Sequence, residues 1–369
     1  MIPIVEIAGR RVGQDCPCLI IAEAGVNHNG SLELALQLVD AAAEAGADVV
    51  KFQTFHAEEN ISPTAPKAEY QVQTTGDLES QLDMCKKLEL SAAAFHTIAQ
   101  RCHERRVTFL STPFDNGSVE LLENLGVPAY KIASGEITNF PLLAFVAGRG
   151  KPLIMSTGMS DIEEVAAAIE VLQRAGNREL ILLHCVSNYP AEASSVNLRA
   201  MKTLTDRFGV PVGFSDHTEG IAVPLAAVAL GASVLEKHLT LDRSLPGPDH
   251  RASLEPAQLG EMVRGIRSVE AALGNGEKYA VPEELDTAAV ARRSLVAARD
   301  LIAGTLLTEE LIAIRRPGTG LPPAMLARLV GRRLVMDVPA NALLSEAMFE
   351  ADPEAVGTCS VPGKQSRQP

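Results

Sequence analysis

Eight apolar runs recur between residues 18 and 236, most of them separated by a polar turn and a helical pattern. They are CLIIA (18–22), DVVKFQ (48–53), VTFL (107–110), PAYKI (128–132), PLIM (152–155), ELILL (179–183), VPVGF (210–214) and ASVLE (232–236). Between them, residues 31–44 carry apolar side chains at 34, 35, 38, 39, 42 and 43, a 3.6-residue stripe that predicts an amphipathic helix. Residues 161–173, 198–207 and 256–273 repeat the pattern. Strands joined by helical crossovers lie parallel, because each helix returns the chain to the end where the strand began. Eight such units predict an α/β fold, the (β/α)8 TIM barrel. The core material agrees. Hydrophobic residues make up 46% of the chain, yet aromatics only 4% and Trp none, so the interior must be built from Ala, Leu, Val and Ile. That is the material of strands buried on both faces.

The flanking segments differ in character. Residues 3–12 (PIVEIAGRRV) predict a hairpin with Gly9-Arg10 as its turn. Residues 54–90 are long, polar and Pro-bearing, and they follow the second strand. A loop there is expected over the C-terminal face of the barrel as a lid or binding loop. After Gly274-Asn275-Gly276 the rhythm stops. The expected division is a barrel domain at 1–280, a polar linker at 281–291 and a small β-rich domain at 292–352. A tail at 353–369 lacks periodicity and is expected to have no fixed structure.

A formal net charge of −13 argues against nucleic acid and anionic membrane surfaces as partners. Any anionic substrate must then meet a local basic patch. No run of about 18 apolar residues is present, and the N-terminus lacks the apolar segment of a signal peptide. The six cysteines are scattered, which suits reduced thiols in the cytoplasm.

In a parallel barrel, active sites are built at the C-terminal strand ends, and all eight ends here are polar. They read Glu23-Ala-Gly-Val-Asn27-His28, Lys51-Phe-Gln53, Ser111-Thr112-Pro113, Lys131-Ile-Ala-Ser134-Gly-Glu136, Ser156-Thr157-Gly158, His184-Cys-Val-Ser187-Asn188-Tyr189, Ser215-Asp216-His217 and Glu236-Lys237-His238. Neighbouring strands thus deliver His217 and His238, a pair of imidazoles suited to a metal. Lys51 and Lys131, with Thr112, Ser134, Ser156 and Ser215, are the charges and hydroxyls that an oxyanion such as phosphate needs. Glu23, Gln53, Tyr189 and Asp249 supply groups for sugar hydroxyls and for proton transfer. Asp249 lies in the rigid turn Pro246-Gly-Pro248-Asp249.

These motifs resemble the sialic acid synthase family. The resemblance rests on IAEAGVNHNG (21–30), VVKFQTF (49–55), STPFD (111–115), YKIASGE (130–136), STGM (156–159), GFSDHT (213–218), EKHLT (236–240) and GPDHRASLEP (247–256). Residues 292–320 resemble that family's C-terminal antifreeze-like (SAF) module. The resemblance implies condensation of phosphoenolpyruvate with an open-chain N-acetylmannosamine to give N-acetylneuraminate and phosphate. The N,N'-diacetyllegionaminate reaction stands close behind it. It implies that His217 and His238 hold a divalent metal, manganese or magnesium. It assigns Lys51, Thr112, Lys131, Ser134, Ser156, Ser187 and Ser215 to phosphoenolpyruvate, where Ser187 replaces an Asn found in some members. It assigns Glu23, Gln53, Tyr189 and Asp249 to the sugar and to acid–base work. It places Arg316 in the active site of the partner subunit of a domain-swapped homodimer. Two other readings of the same residues are a Schiff-base aldolase using Lys51, Lys131 or Lys237, and a non-catalytic carbohydrate-binding protein.

Overall fold

The structure, a computed structural model, describes residues 2–351. The expectation for 353–369 falls outside those residues. Near the N-terminus, Val5–Ile7 (β1) pairs antiparallel with Arg10–Val12 (β2). The turn is Ala8-Gly9 rather than Gly9-Arg10, because Arg10 is already paired with Ile7. Both turn residues have positive φ (52° and 77°), the hairpin geometry that follows the twist of the strands.

Eight parallel strands follow: Leu19–Gly25 (β3), Val49–Thr54 (β4), Thr108–Pro113 (β5), Tyr130–Ile132 (β6), Leu153–Ser156 (β7), Leu180–Cys185 (β8), Val212–Asp216 (β9) and Val234–His238 (β10). Their order in the sheet is β5-β4-β3-β10-β9-β8-β7-β6. The first and last barrel strands are therefore neighbours, with His238 beside Glu23, which rolls the sheet into a nearly closed cylinder. The expected helices form as Leu32–Ala45, Ile162–Arg174, Ala200–Phe208 and Pro256–Leu273. Ser31 and Asp161 cap the first two by accepting hydrogen bonds from backbone N–H groups of the opening turn.

Most of the strands start and end later than the apolar runs suggested. The runs are bounded by the polar clusters that follow them, but several strands continue into those clusters, through Glu23, Thr112, Ser156, Ser215 or His238. Those polar groups are buried among one another inside the cylinder, so polarity does not end the strand there.

Side chains alternate between two layers. Outward residues Phe52, Phe109, Tyr130, Met155, Leu182, Phe214 and Leu235 pack with the helices. Inward residues Leu19, Ile21, Val49, Leu110, Ala129, Ile154, Ile181, Leu183 and Val234 pack with Val5, Ile7 and Val12 of the hairpin. The hairpin thus fills the N-terminal mouth. Arg10 pairs with Asp48, which Arg267 also reaches at 2.8 Å.

Residues 54–90 hold three short helices, Ala57–Asn60, Glu69–Thr75 and Gln81–Lys86, where the sequence suggested an irregular loop. Lys67 closes this insertion on itself, donating to Thr75 Oγ1 and to the Gly76 carbonyl, both at 3.0 Å.

A second unit begins at Gly276. Residues 281–291 hold a 3-10 turn, Pro282–Glu284, and a helix, Leu285–Ala291. Two four-residue strands, Ser294–Ala297 and Ile312–Arg315, pair antiparallel, and single bridges such as Leu301–Val338 and Leu306–Arg333 carry the remaining β character. Its core is mostly aliphatic, with Leu295, Leu307, Leu329, Leu334 and Leu344 buried beside Phe349.

Candidate active site

One step beyond the apolar inward layer, the same eight strands present Glu23, Lys51, Thr112, Lys131, Ser156, Cys185, Ser215 and Glu236. Seven of the eight are polar, and all are at most 4% exposed. Lys51 Nζ lies 2.7 Å from Glu23 Oε2 and 3.1 Å from Thr112 Oγ1. Lys131 Nζ donates to Ser156 Oγ at 2.6 Å. Glu236 lies between the two ammonium groups, 3.7 Å from Lys51 and 3.6 Å from Lys131, and accepts from Ser215 Oγ at 3.0 Å. Gln53 donates to Glu23 Oε1 at 3.3 Å.

The electrostatics follow from this burial. Burial pushes the Glu23 carboxyl up to about 7 against the pull of Lys51. A group poised there can give or take a proton at neutral pH. Burial opposes the charge on Lys51, but Glu23 and Glu236 outweigh it and hold its ammonium above the ordinary lysine value. Burial pulls Lys131 below that value in spite of Glu236, with Lys51 adding to the fall. For Glu236, burial raises the carboxyl, but Lys131 and Lys51 overcome it and the net shift is downward. Burial also lifts Asp249 to about 6.

Beside this layer, Ser134 Oγ and Ser187 Oγ lie 2.9 Å apart. Gly158 packs against both. A Cβ at position 158 would fall 2.3 Å from Ser187 Oγ and 2.4 Å from Ser134 Cβ, so only glycine fits.

His217 and His238 come together at the ends of β9 and β10, with ring centroids 5.4 Å apart. His217 Nδ1 is 2.6 Å from the Val186 carbonyl, which can only accept, so the proton is on Nδ1 and the Nε2 lone pair is free to bind. His238 Nδ1 is buried without a hydrogen-bond partner, and Asp249 Oδ2 is 3.9 Å from it. Burial lowers the pKa of His217 to about 4 and, with the His217 charge opposing it as well, that of His238 well below the usual imidazole value. Two neutral rings, one with an orphaned nitrogen, fit a single divalent cation. His56, Glu59 and Asp115 also bring ligand-type atoms within 4.8 Å of one another, but His56 and Glu59 are exposed. Asp115 there caps the helix Asn116–Asn124, accepting from Ser118, His56 and Asn60, and its lone pairs are already used.

The Tyr189 ring lies 4.1 Å from that of His217 and 5.6 Å from that of His238. Tyr70, from the helix Glu69–Thr75, stacks on Tyr189 at 5.1 Å. The insertion therefore does reach the C-terminal face, and it contributes an aromatic side chain there. Arg316 is an exposed residue of the second unit, directly after its strand Ile312–Arg315.

Two participants carried no assigned role in the sequence. Glu236 could have been found by parity, since it shares the inward side of β10 with His238. The same parity turns Lys237 outward, away from Lys51 and Lys131, and pairs it with Asp216 at 2.5 Å. Lys237 is therefore not a strand-end amine of the interior. Tyr70 had no local signal, because nothing in a polar insertion marks which aromatic residue folds back.

Residues 38–278 match the NeuB family and residues 292–350 the SAF domain. The chain is 48% identical to N,N'-diacetyllegionaminic acid synthase of Legionella pneumophila, over 92% of this chain and 96% of that one. It is 35% identical to human N-acetylneuraminate-9-phosphate synthase over 93% and 95%. The crystal structure of an N-acetylneuraminic acid synthetase from Leptospira borgpetersenii in complex with citrate superposes with a TM-score of 0.70 at 35% identity, covering 78% of this chain and 95% of that one.

Proposed function

The chain belongs to the NeuB family, and from that premise we propose that it joins phosphoenolpyruvate to an open-chain N-acetylated amino sugar, releasing phosphate and a nine-carbon α-keto acid. The observation that carries the reading is the polar inward layer, in which two ammonium groups and a near-neutral carboxyl sit below a pair of neutral imidazoles. Among sugars, a 2,4-diacetamido-trideoxyhexose is favoured, which would make the product N,N'-diacetyllegionaminate. Two observations support that choice over N-acetylmannosamine. Identity is 48% to the legionaminic acid synthase against 35% to the human N-acetylneuraminate-9-phosphate synthase. The paired rings of Tyr70 and Tyr189 also offer an apolar wall that suits a deoxygenated carbon and a second acetamido group.

Lys51 and Lys131 grip the enol ester, with Thr112, Ser156 and Ser215 donating hydroxyl hydrogens to its anionic oxygens. Ser134 and Ser187 complete the phosphate end. Glu236 holds the two like charges side by side until the anion arrives. Gln53, Tyr189 and Asp249 orient the sugar, so that its aldehyde carbon faces carbon 3 of phosphoenolpyruvate. Carbon–carbon bond formation turns the aldehyde oxygen into an alkoxide and leaves carbon 2 cationic. Water adds there, one of its protons passes through Glu23 to the alkoxide, and the tetrahedral intermediate collapses to the keto acid as the other leaves with phosphate. His217 and His238 are the residues to hold a divalent metal, manganese or magnesium. When bound, such an ion supplies Lewis-acid polarisation of the aldehyde oxygen.

Arg316 is assigned to the active site of a partner chain in a swapped homodimer, an arrangement that needs an exposed arginine on the small unit. Five free cysteines, Cys16, Cys18, Cys85, Cys102 and Cys185, support a reducing, cytoplasmic setting. Among the described residues no helix is long and apolar enough to cross a membrane.

The test is to incubate the chain with phosphoenolpyruvate, manganese and each candidate hexose, following phosphate release and product mass. Phosphate release that stops with a chelator, and a mass matching the diacetamido product, are expected. No phosphate release with any N-acetylated hexose, or a borohydride-trapped adduct on Lys51 or Lys131, would overturn the reading.

A further inference from the structure

Behind the two histidines lies an ion pair that the reaction does not use. Asp216 and Lys237 are register partners on β9 and β10, and each directly precedes His217 or His238 in sequence. Strand alternation turns both away from the barrel interior, into the layer where Phe214 and Leu235 pack against helices. Both are 0% exposed. Lys237 Nζ is 2.5 Å from Asp216 Oδ2 and also donates to the Thr218 carbonyl. Asp216 Oδ1 accepts from the Thr218 N–H at 2.9 Å.

An ion pair here is a poor device for stability. Removing both charges from water costs more than their attraction commonly returns, and packed apolar residues would serve the layer as well or better. What the pair does fix is geometry. Residues 216 and 218 flank His217 and are tied to each other by a side chain. The same ammonium ties both to position 237, one residue before His238. Two backbone hydrogen bonds of the histidines add to the frame. Ala191 N–H donates to the His217 carbonyl at 2.9 Å, and Leu254 N–H to that of His238 at 2.8 Å. Of these hydrogen bonds, only those of the Lys237 ammonium run from one histidine-bearing strand end to the other, and they reinforce the β9–β10 pairing at its last register pair, Asp216 and Lys237.

We propose that Asp216 and Lys237 are positioning residues that set the spacing of His217 and His238, so that a divalent cation meets a preformed pair of imidazoles. The inference rests on the metal reading given above. The mechanism is a saving of reorganisation. Rings already held at binding distance lose little further freedom when the ion arrives, whereas rings that follow the last β9–β10 register pair without the clamp must be ordered further by the ion itself.

The test measures manganese affinity of the metal-stripped, full-length chain by calorimetric titration, alongside its thermal unfolding. The unaltered chain is expected to take up one ion, and His217→Ala to abolish the uptake. No uptake by the unaltered chain removes the metal reading and this inference with it. With uptake established, Lys237→Met is expected to weaken binding at least tenfold. The double variant Asp216→Asn/Lys237→Met removes both charges together. It is expected to unfold within a few degrees of the parent, yet to show the same weakened affinity. A folded double variant that binds manganese within twofold of the parent overturns the proposal and leaves the metal reading standing. Failure of both variants to fold also overturns it, since the pair would then serve the fold and not the spacing.

Discussion

The two ends of the barrel are built from the same eight strands and the same inward parity, yet their chemistry is opposite. At the N-terminal end Leu19, Val49, Leu110, Ile154 and Val234 close over Val5, Ile7 and Val12 in an apolar cluster. One inward step further along the strands stand Glu23, Lys51, Thr112, Lys131, Ser156, Ser215 and Glu236, almost as deeply buried. Burial alone therefore does not distinguish core from site here. What distinguishes them is whether the buried groups are satisfied by dispersion or by charge. The apolar end stabilises the cylinder, and the polar end uses that rigidity to hold like charges close together. Changes at one end should therefore alter stability without chemistry, and at the other chemistry with little loss of stability.

The largest expected effect breaks the polar end alone. Lys51→Met should lower turnover by about 10^3-fold, the upper end for one preorganised charged group. Its circular dichroism and melting temperature should stay close to those of the parent. A variant that loses turnover only in proportion to lost folded protein would erase the contrast. The converse change is Ile7→Ala in the hairpin. It should cost about 2–5 kcal/mol of stability through the cavity it leaves. The turnover number per folded molecule should be unchanged, as read by urea unfolding and active-site-normalised rates.

Gly158→Ala sharpens the comparison inside the polar end. Its methyl group must displace Ser134 and Ser187, and overpacking of this kind costs about 1–3 kcal/mol. Set against phosphoenolpyruvate binding, that corresponds to a KM raised by about tenfold or more, with the KM for the sugar unaltered. Tyr70→Ala should act on the other substrate. Loss of one ring from the Tyr70–Tyr189 pair should raise the sugar KM by about fivefold, the value of one aromatic contact, with phosphoenolpyruvate KM unchanged.

The smallest effect is in the pH dependence of the metal-free chain. Burial lowers the pKa of His28, His217 and His250 to about 4, and those of His184 and His238 also fall. The unfolded chain takes up these protons near pH 6.5 and the folded chain does not, so their contribution declines as pH drops below 6.5. Glu23 and Asp249 act the other way. Raised to about 7 and about 6, they bind protons in the folded chain first, and their contribution is lost as pH rises through those values. With five imidazoles against two carboxyls, stability should fall from pH 6.5 toward pH 4.5. Each unbalanced group adds at most about 1.4 kcal/mol per pH unit. Urea midpoints that rise on acidification would contradict the balance.

Much of this was legible in the residues. The alternation of apolar runs and helical stripes carries the barrel, because parallel strands must be aliphatic on both faces and must be joined by helices. The strand-end residues likewise named most of the polar layer. Strand limits were less legible, since an apolar run is bounded by the polar cluster that follows it and the strand is not. The insertion at 54–90 was legible as a segment near the site, but its three short helices were not, for want of long periodic stripes.

By itself, then, the sequence determined the number and direction of the strands and the kinds of group at their ends, which are properties of neighbours along the chain. Only the tertiary structure decided which of those groups meet. Lys51 and Lys237 look alike as strand-end amines, yet one faces Glu23 inside the cylinder and the other Asp216 outside it. Glu236 becomes the bridge between two ammonium groups, and Tyr70 the partner of Tyr189, through contacts between residues more than a hundred positions apart. Such contacts depend on where the sheet closes, β10 against β3, and on the phase of each strand about the barrel axis. Both are set by packing of the whole cylinder, and no local pattern encodes them.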